Sequence, residues 1–226
     1  MSVAMIPVEA EERLDWIALS DAIAEGHALS RAAWIDGLGL AVKTATIFPG
    51  NDGRGMPTIN GGVSLYSDAD GTLQAVVDFH LVTKWKTAGD SLLAARRLAP
   101  PNVRGILICG AGTVASALID AYRAAFPTAR IAVWNRTRAR AERLVHAKDV
   151  VMAGSLEQAA RSADIISCAT MTREPILQGS WLRPGQHVDL IGAFRADMRE
   201  ADDAALTRAR LFVDSRDTTL DHIGEL

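Results

Sequence analysis

Residues 105–115 read GILICGAGTVA, an apolar run of strand length that breaks into glycines and passes at once into a helical pattern. Strand, glycine turn and helix in that order make the fingerprint of a dinucleotide-binding βαβ unit, with Ala115 in the third glycine's place. Each position has a mechanical reason. Gly110 makes the tight turn, Gly112 lets the backbone approach a pyrophosphate, and Ala115 lets helix and strand pack closely. Thr113 and Val114 open the helix, so their N–H groups face the phosphates from the positive end of its dipole. A Gly-Ala-Gly triplet alone is common in turns. The strand before it, the helix after it and a second strand ending at the expected distance favour cofactor binding over a structural turn.

That second strand, Arg130–Asn135, decides the cofactor. An NAD site places Asp or Glu at its end to bond the ribose 2′-hydroxyl. Here the chain reads Asn135, Arg136, Thr137, Arg138. The two guanidiniums can pair with a 2′-phosphate, and Asn135 and Thr137 can donate hydrogen bonds to it, so NADPH is expected rather than NADH. The competing reading is two solvated arginines at a helix start that is basic anyway, with Arg140 and Arg143 following. Thr170, just past the strand pattern Asp164–Ala169, is placed with the cofactor-binding residues.

Around this unit, strands and helices alternate. The pattern predicts helices over Thr113–Phe126, Ala139–His146, Leu156–Ser162 and Asp202–Ala209. It predicts strands at Val150–Ala153, Asp164–Ala169, His187–Ile191 and, last, Leu211–Asp214. Such alternation implies a doubly wound parallel sheet covered on both faces. Upstream the texture differs. Glu9–His27 reads as an amphipathic helix, and the periodicity falls to two between Leu38 and Leu73. Gly62–Tyr66 and Leu73–Asp78 flank an Asp68–Gly71 turn and predict a hairpin. A helix is expected from about Thr83 to Leu98, stopped by Pro100 and Pro101, which mark a domain boundary. The expected organisation is therefore an α/β domain over 1–99, apparently incomplete, and a Rossmann domain over 100–217. Residues 218–226 would begin a segment returning to the first domain.

The bulk composition narrows the function classes. The chain has 226 residues, 49% hydrophobic and 23% charged, with a net charge of −3. Nothing in that balance points to nucleic acid or to an anionic membrane. The apolar runs Ile106–Cys109 and Ile165–Cys168 are far too short to span a bilayer, and no secretory pattern opens the sequence. The two cysteines, Cys109 and Cys168, sit inside those runs and read as buried, inert thiols. A cytoplasmic protein without disulfides is the expectation.

Two lysines stand out. Lys43 lies in the strand pattern Leu40–Phe48, on the same face as Ala41, Ala45 and Ile47, with no acid in that run. A lysine on an apolar strand face is costly unless an anion meets it; the plainer reading is an edge lysine whose ammonium snorkels to water. Lys86 falls three residues into the helix expected from Thr83, where an ammonium opposes the dipole. With Thr83 and Thr87 it suggests a cradle for carboxylate or phosphate. Its plainer reading is a surface lysine on a basic turn beside Lys84.

Taken together, these stretches resemble the ornithine cyclodeaminase/μ-crystallin family. The resemblance is carried by Gly39–Lys43, Phe48–Asn51, Arg54–Thr58, Asp78, Val82–Thr83 and Lys86–Ala88. It continues through the Gly110 fingerprint, Glu174–Pro175, Trp181–Gly185, Ile191–Gly192 and Val213–Arg216, most of the chain from Leu29 onward. It implies a Rossmann domain plus a smaller α/β domain that holds substrate and forms a homodimer. It also implies that Lys43 binds a substrate carboxylate and that Thr58 lines the same pocket. Lys86, where the family usually has arginine, and Thr87 would touch substrate carboxylate and cofactor phosphate. Lysine keeps the charge there but loses the bidentate fork.

Two departures shape the functional expectation. Cyclodeaminases of the family carry a catalytic aspartate shortly after the Ile-Gly pair, and Phe194 stands in its place; Asp197 is out of step by three positions. Cyclodeamination needs a base that phenylalanine cannot supply, whereas a protonated C=N is already electrophilic and can be reduced with a solvent proton. The chain is also shorter than the family's, and the segment between His27 and Ser30 is compressed where the family has extra strand with a substrate-binding arginine. The expectation is an NADPH-dependent reductase of a small cyclic imino acid such as Δ1-pyrroline-2-carboxylate. Ornithine cyclodeaminase, an amino-acid dehydrogenase and shikimate dehydrogenase are rivals of the same class. An NADPH-dependent ligand-binding protein without turnover is the rival of another class.

Overall fold

The computed structural model describes residues 28–57, 59–213, 216–220 and 222–226. The helix expected over Glu9–His27 and the pocket residue Thr58 lie outside them. The chain divides into two compact units, Met1–Val82 and Thr83–Leu226.

The described part of the first unit is an antiparallel meander, β1 (Ala28–Ile35), β2 (Gly39–Ile47), β3 (Ile59–Tyr66) and β4 (Leu73–Asp78), in that spatial order. The expected hairpin is β3–β4, with β3 starting three residues earlier than its pattern suggested. β1 was not anticipated: ALSRAAWI has no strict alternation to betray a strand. Gly37, at φ +74°, turns β1 into β2. Its N–H donates to Asp68 Oδ2 at 2.7 Å, and the Trp34 indole N–H donates to the other oxygen, so one carboxylate ties the two hairpin turns together. In the register, Arg31, Lys43, Val63 and Val77 form one cross-strand row. Ala32, Val42, Ser64 and Val76 form a row on the opposite face, which is far more open.

Helix α1 runs Phe79–Leu98, four residues earlier than Thr83, because the Asp78 carboxylate accepts the Leu81 N–H at 2.7 Å and caps the first turn. From Thr83 on it belongs to the second unit, where Ala88 and Ala95 enter the core. The division thus falls before the second turn of α1, ahead of Pro100, because the helix's apolar face packs under the Rossmann sheet.

The second unit holds five parallel strands: β5 (Gly105–Cys109), β6 (Arg130–Trp134), β7 (Val151–Met152), β8 (Ile165–Cys168) and β9 (His187–Leu190). Their order is β7-β6-β5-β8-β9. The helices are α2 (Thr113–Ala125), α3 (Arg138–Lys148), α4 (Leu156–Ser162), α5 (Asp203–Thr207) and α6 (Arg216–Thr219). β5 alternates between two cores. Ile106 and Ile108 pack with α1 and α2, while Leu107 and Cys109 pack with Ala160 of α4 and Ala205 of α5. A sheet buried on both faces is what nearly continuous apolar strands demand. Cys109 and Cys168 are in-register neighbours on β5 and β8, both fully buried and both free thiols. Its hydrogen bond with Cys109, together with burial, pushes the Cys168 thiol well above the ordinary range, so it stays protonated.

One expectation fails here. Leu211–Val213 forms no strand; its side chains are exposed outside both sheets. A parallel crossover needs a helix long enough to carry the chain back along the sheet. α5 has five residues and so rises only about 7.5 Å. Gly224 N–H donates to Arg195 O at 3.1 Å, and Glu225 accepts from the N–H groups of Glu200 and Ala201, so the tail folds onto the 195–201 loop of the second unit.

Candidate functional site

In the second unit the chain winds from β5 out to β7 on one side and then to β8 and β9 on the other, so the switch point lies between β5 and β8. Open α/β sheets bind ligands in the crevice at the carboxyl ends of the strands at such a point. Three loops meet there: Gly110–Gly112 after β5, Ala169–Thr170 after β8 and Ile191–Gly192 after β9.

Gly110 has φ +129°, and a Cβ there would lie 2.7 Å from Ala169 O and 3.7 Å from Thr170 Cγ2. Only glycine fits. Its N–H donates to Trp134 O at 2.8 Å, fixing the turn against β6. Gly112 is the opposite case: a Cβ there would meet nothing within 4 Å. It is the N-cap of α2, with no side chain capping the helix and no acid in the first turn. Thr113 is exposed and Ala115 fully buried. A bare helix N-terminus beside open space is what a pyrophosphate needs, so the residues present fit a dinucleotide.

At the end of β6, Asn135 is partly buried and its side-chain amide donates to Thr137 O at 2.9 Å, shaping the turn rather than pointing outward. Thr137 is the N-cap of α3, yet its side chain makes no capping bond. Arg136 is exposed with no ion pair among the described residues. Arg138 is engaged: its guanidinium lies 2.9 Å from the Glu142 carboxylate one turn on. Of the four residues expected at a 2′-phosphate, Arg136 and Thr137 are therefore the readily available ones.

Thr170, placed with the cofactor residues, sits at the switch point, but both its N–H and its hydroxyl donate to Glu200, at 2.7 and 2.5 Å. Sequence reasoning missed Glu200, which lies 30 residues away in a charged run that resembles a solvated helix start.

In the first unit, Lys43 is partly buried between Ala41 and Ala45 on its face, opposite Val63, with its ammonium 4.6 Å from the Phe79 ring centroid. The ring reaches the sheet because Gly61 lacks a side chain: a Cβ there would lie 2.8 Å from Phe79 Cδ2. Lys86 is corrected. It is the eighth residue of α1, not the fourth, so it does not oppose the first-turn dipole, and its ammonium pairs with Asp90 one turn on. Thr87 is partly buried, and its carbonyl accepts from Ser91 Oγ at 3.3 Å.

Phe194, 43% exposed, follows the β9 loop, with the Arg195 guanidinium 5.6 Å from its ring. Asp197, three positions on, is ion-paired, held by Arg195 at 2.9 Å and Arg173 at 3.0 Å. Among the described residues there is no cluster able to hold a metal ion, and no helix is long and apolar enough to cross a membrane.

Comparison with known proteins places this geometry. The sequence profile of the ornithine cyclodeaminase/mu-crystallin family matches residues 35–226. The chain is 49% identical to the Delta(1)-pyrroline-2-carboxylate reductase of Paracoccus denitrificans over 242 aligned residues, which cover 96% of this chain and 77% of that one. It is 35% identical to the ketimine reductase mu-crystallin of Rattus norvegicus, covering 83% of this chain but only 60% of the relative. The Thermococcus litoralis Delta(1)-pyrroline-2-carboxylate reductase, solved with NADH and L-proline, superposes with a TM-score of 0.75. It is 23% identical, and the match covers 96% of this chain and 73% of that one. The chain thus spans between three fifths and about three quarters of these relatives. It belongs to the ornithine cyclodeaminase/mu-crystallin family.

Proposed function

We propose that this chain is an NADPH-dependent reductase of a small cyclic imino acid, with Δ1-pyrroline-2-carboxylate, or a close analogue, going to the saturated amino acid. The observation that carries the reading is the carboxyl-edge crevice: the Gly110 turn, the open space at Gly112 and the uncapped start of α2. When bound, the reduced nicotinamide supplies the hydride for the C=N carbon. Gly110, Gly112, Thr113 and Val114 hold the pyrophosphate, and Arg136 with Thr137 selects the 2′-phosphate; Asn135 shapes that turn, and Arg138 joins once it leaves Glu142. NADH is the weaker cofactor in this reading, although the Thermococcus relative was solved with it.

Lys43 is assigned to the substrate carboxylate. Its ammonium is held over an aromatic ring on a largely apolar face, which makes it a strong partner for an anion. Lys86 and Thr87 keep the carboxylate and phosphate roles that the family resemblance gives them, and Thr58 that of lining the pocket. Phe194 favours reduction over deamination, because neither it nor the doubly paired Asp197 offers a free base. The names of the Paracoccus and rat relatives, both reductases of C=N compounds, support the same choice.

A homodimer is the assembly we propose. One face of the first unit's sheet carries Trp34 and Val76, 71% and 57% exposed, together with Leu73. An apolar face of that kind is an association surface. The cytoplasm is the proposed location, since both buried thiols are free.

The test is the loss of NADPH absorbance with Δ1-pyrroline-2-carboxylate, run beside NADH and beside ornithine with ammonia detection. Turnover faster with NADPH supports the reading. Ammonia release from ornithine would overturn the choice of reaction. NADPH binding without turnover of any imine would leave the ligand-binding reading in its place.

A further inference from the structure

Glu200 is fully buried in the loop that passes over the carboxyl edge of the Rossmann sheet, and every polar atom it has is used. Its backbone is pinned first. The carbonyl accepts from the N–H groups of Ile176 and Leu177, both at 2.9 Å, and its N–H donates to the Glu225 carboxylate. The side chain then reaches two loops at once. Oε1 accepts the Thr170 N–H at 2.7 Å and the Thr170 hydroxyl at 2.5 Å, while Oε2 accepts the Gly192 N–H at 2.8 Å.

Those two loops follow β8 and β9, and they touch. A Cβ on Gly192 would lie 2.0 Å from Thr170 O and 2.5 Å from Glu200 Oε1, so the glycine is what lets the carboxylate seat between them. On its other side, Thr170 lies against Gly110 of the fingerprint turn. One carboxylate therefore sets the spacing of the loops that wall the dinucleotide crevice beyond the pyrophosphate.

We infer that Glu200 is a positioning residue of the cofactor crevice, clamping the β8 loop to the β9 loop and setting, through Thr170, the nicotinamide half of the cleft. The inference rests on the dinucleotide reading above. It differs from a purely structural role in one chemical respect. Three donors converge on the two oxygens, which suits an ionised carboxylate, an acceptor at both ends. A protonated acid or an amide carries a donor at one end and turns it against a donor N–H.

The titratable and charged groups around the clamp are Glu225, the Cys168 thiol and Arg199. Burial, with the Glu225 charge adding to it, pushes the Glu200 carboxyl up to about 7 against the pull of its three donors. Glu225 is itself pushed up by burial, while Arg199 pulls it down. The clamp is thus tight when Glu200 is ionised and loosens as it protonates.

The experiment measures binding of NADH and of ADP-ribose to the full chain by calorimetry, for the parent and for Glu200→Gln, on either side of neutral pH. NADH avoids the separate titration of a 2′-phosphate, and ADP-ribose lacks the nicotinamide. Glu200→Gln is expected to weaken NADH about tenfold, the loss of one hydrogen bond to a charged group, and to leave ADP-ribose unchanged. Parental affinity for NADH is expected to rise with pH through neutrality, and that of the variant to stay flat. If Glu200→Gln does not fold, Glu200→Asp serves in its place: it keeps the charge but cannot span both loops. Equal loss of NADH and ADP-ribose, or parental NADH affinity in a folded variant, overturns the inference. A parent that binds neither ligand overturns the dinucleotide reading itself, and the inference falls with it.

Discussion

The Lys43 ammonium stands 4.6 Å from the centre of the Phe79 ring, where the first residue of α1 crosses the sheet that carries the lysine. The ring face attracts the cation and helps hold it on this face of the sheet, where a carboxylate can meet it. Lys43→Met keeps the length and apolar body of the side chain and removes only that charge. The expected result is a KM for the imino acid raised about 10- to 100-fold, as for a lost charge-assisted hydrogen bond, with cofactor affinity and melting temperature close to the parent's. An unchanged KM would remove Lys43 from the substrate site.

Cofactor choice turns on Arg136, since Arg138 starts out paired with Glu142. Arg136→Ala is expected to weaken NADPH by about 10- to 100-fold and to leave NADH within about twofold. Glu142→Gln releases Arg138 from an exposed pair worth about 0.3–0.5 kcal/mol, and should raise NADPH affinity about twofold. Equal losses of both cofactors in Arg136→Ala would sink the 2′-phosphate assignment.

The Rossmann half was legible because its signals are local: β5 and the turn after it follow from eleven consecutive residues, and β6, β8 and β9 fall within a residue or so of their patterns. The rest depended on partners that lie far along the chain. β1 is a strand only because β2 pairs with it, and nothing in Ala28–Ile35 marks it. The dipole argument at Lys86 failed because Asp78, not Thr83, supplies the cap. Leu211–Val213 has the composition of a strand and no ladder to join. Glu200 had no local signature at all; its role comes from Thr170 and Gly192, which only the fold brings to it.

Two fingerprint glycines should respond differently to the same substitution. Gly110→Ala sets a methyl 2.7 Å from Ala169 O on a backbone at φ +129°. It should lower stability by about 1–3 kcal/mol and abolish cofactor binding. Gly112→Ala meets no atom within 4 Å, so its melting temperature should match the parent's while NADPH affinity falls at least tenfold. Thermal unfolding beside cofactor titration reads both. A Gly112→Ala chain that binds NADPH normally would mean that the pyrophosphate does not approach this residue.

Beneath the sheet, Asp189 on β9 faces Tyr122 and Ser167, whose hydroxyls lie 2.6 Å apart, with Tyr122 donating to the carboxylate at 3.5 Å. Burial raises its carboxyl to about 6, held back by hydrogen bonds from Ser91, Ser167 and Tyr122 and pushed on by the Asp90 charge. In the unfolded chain the group titrates near 3.8. The folded state therefore binds its proton more tightly, and stability is lost as pH rises from the lower value through the higher one. Above about pH 6 the whole penalty is present, roughly 2–3 kcal/mol at most. Asp189→Asn removes the ionisation while keeping the shape. Its melting temperature should exceed the parent's at mildly alkaline pH, and the two should converge as pH falls toward 4. A parent that is equally stable across that range, or a variant that is less stable at every pH, would mean that Asp189 is held as a satisfied carboxylate and that its three donors outweigh its burial.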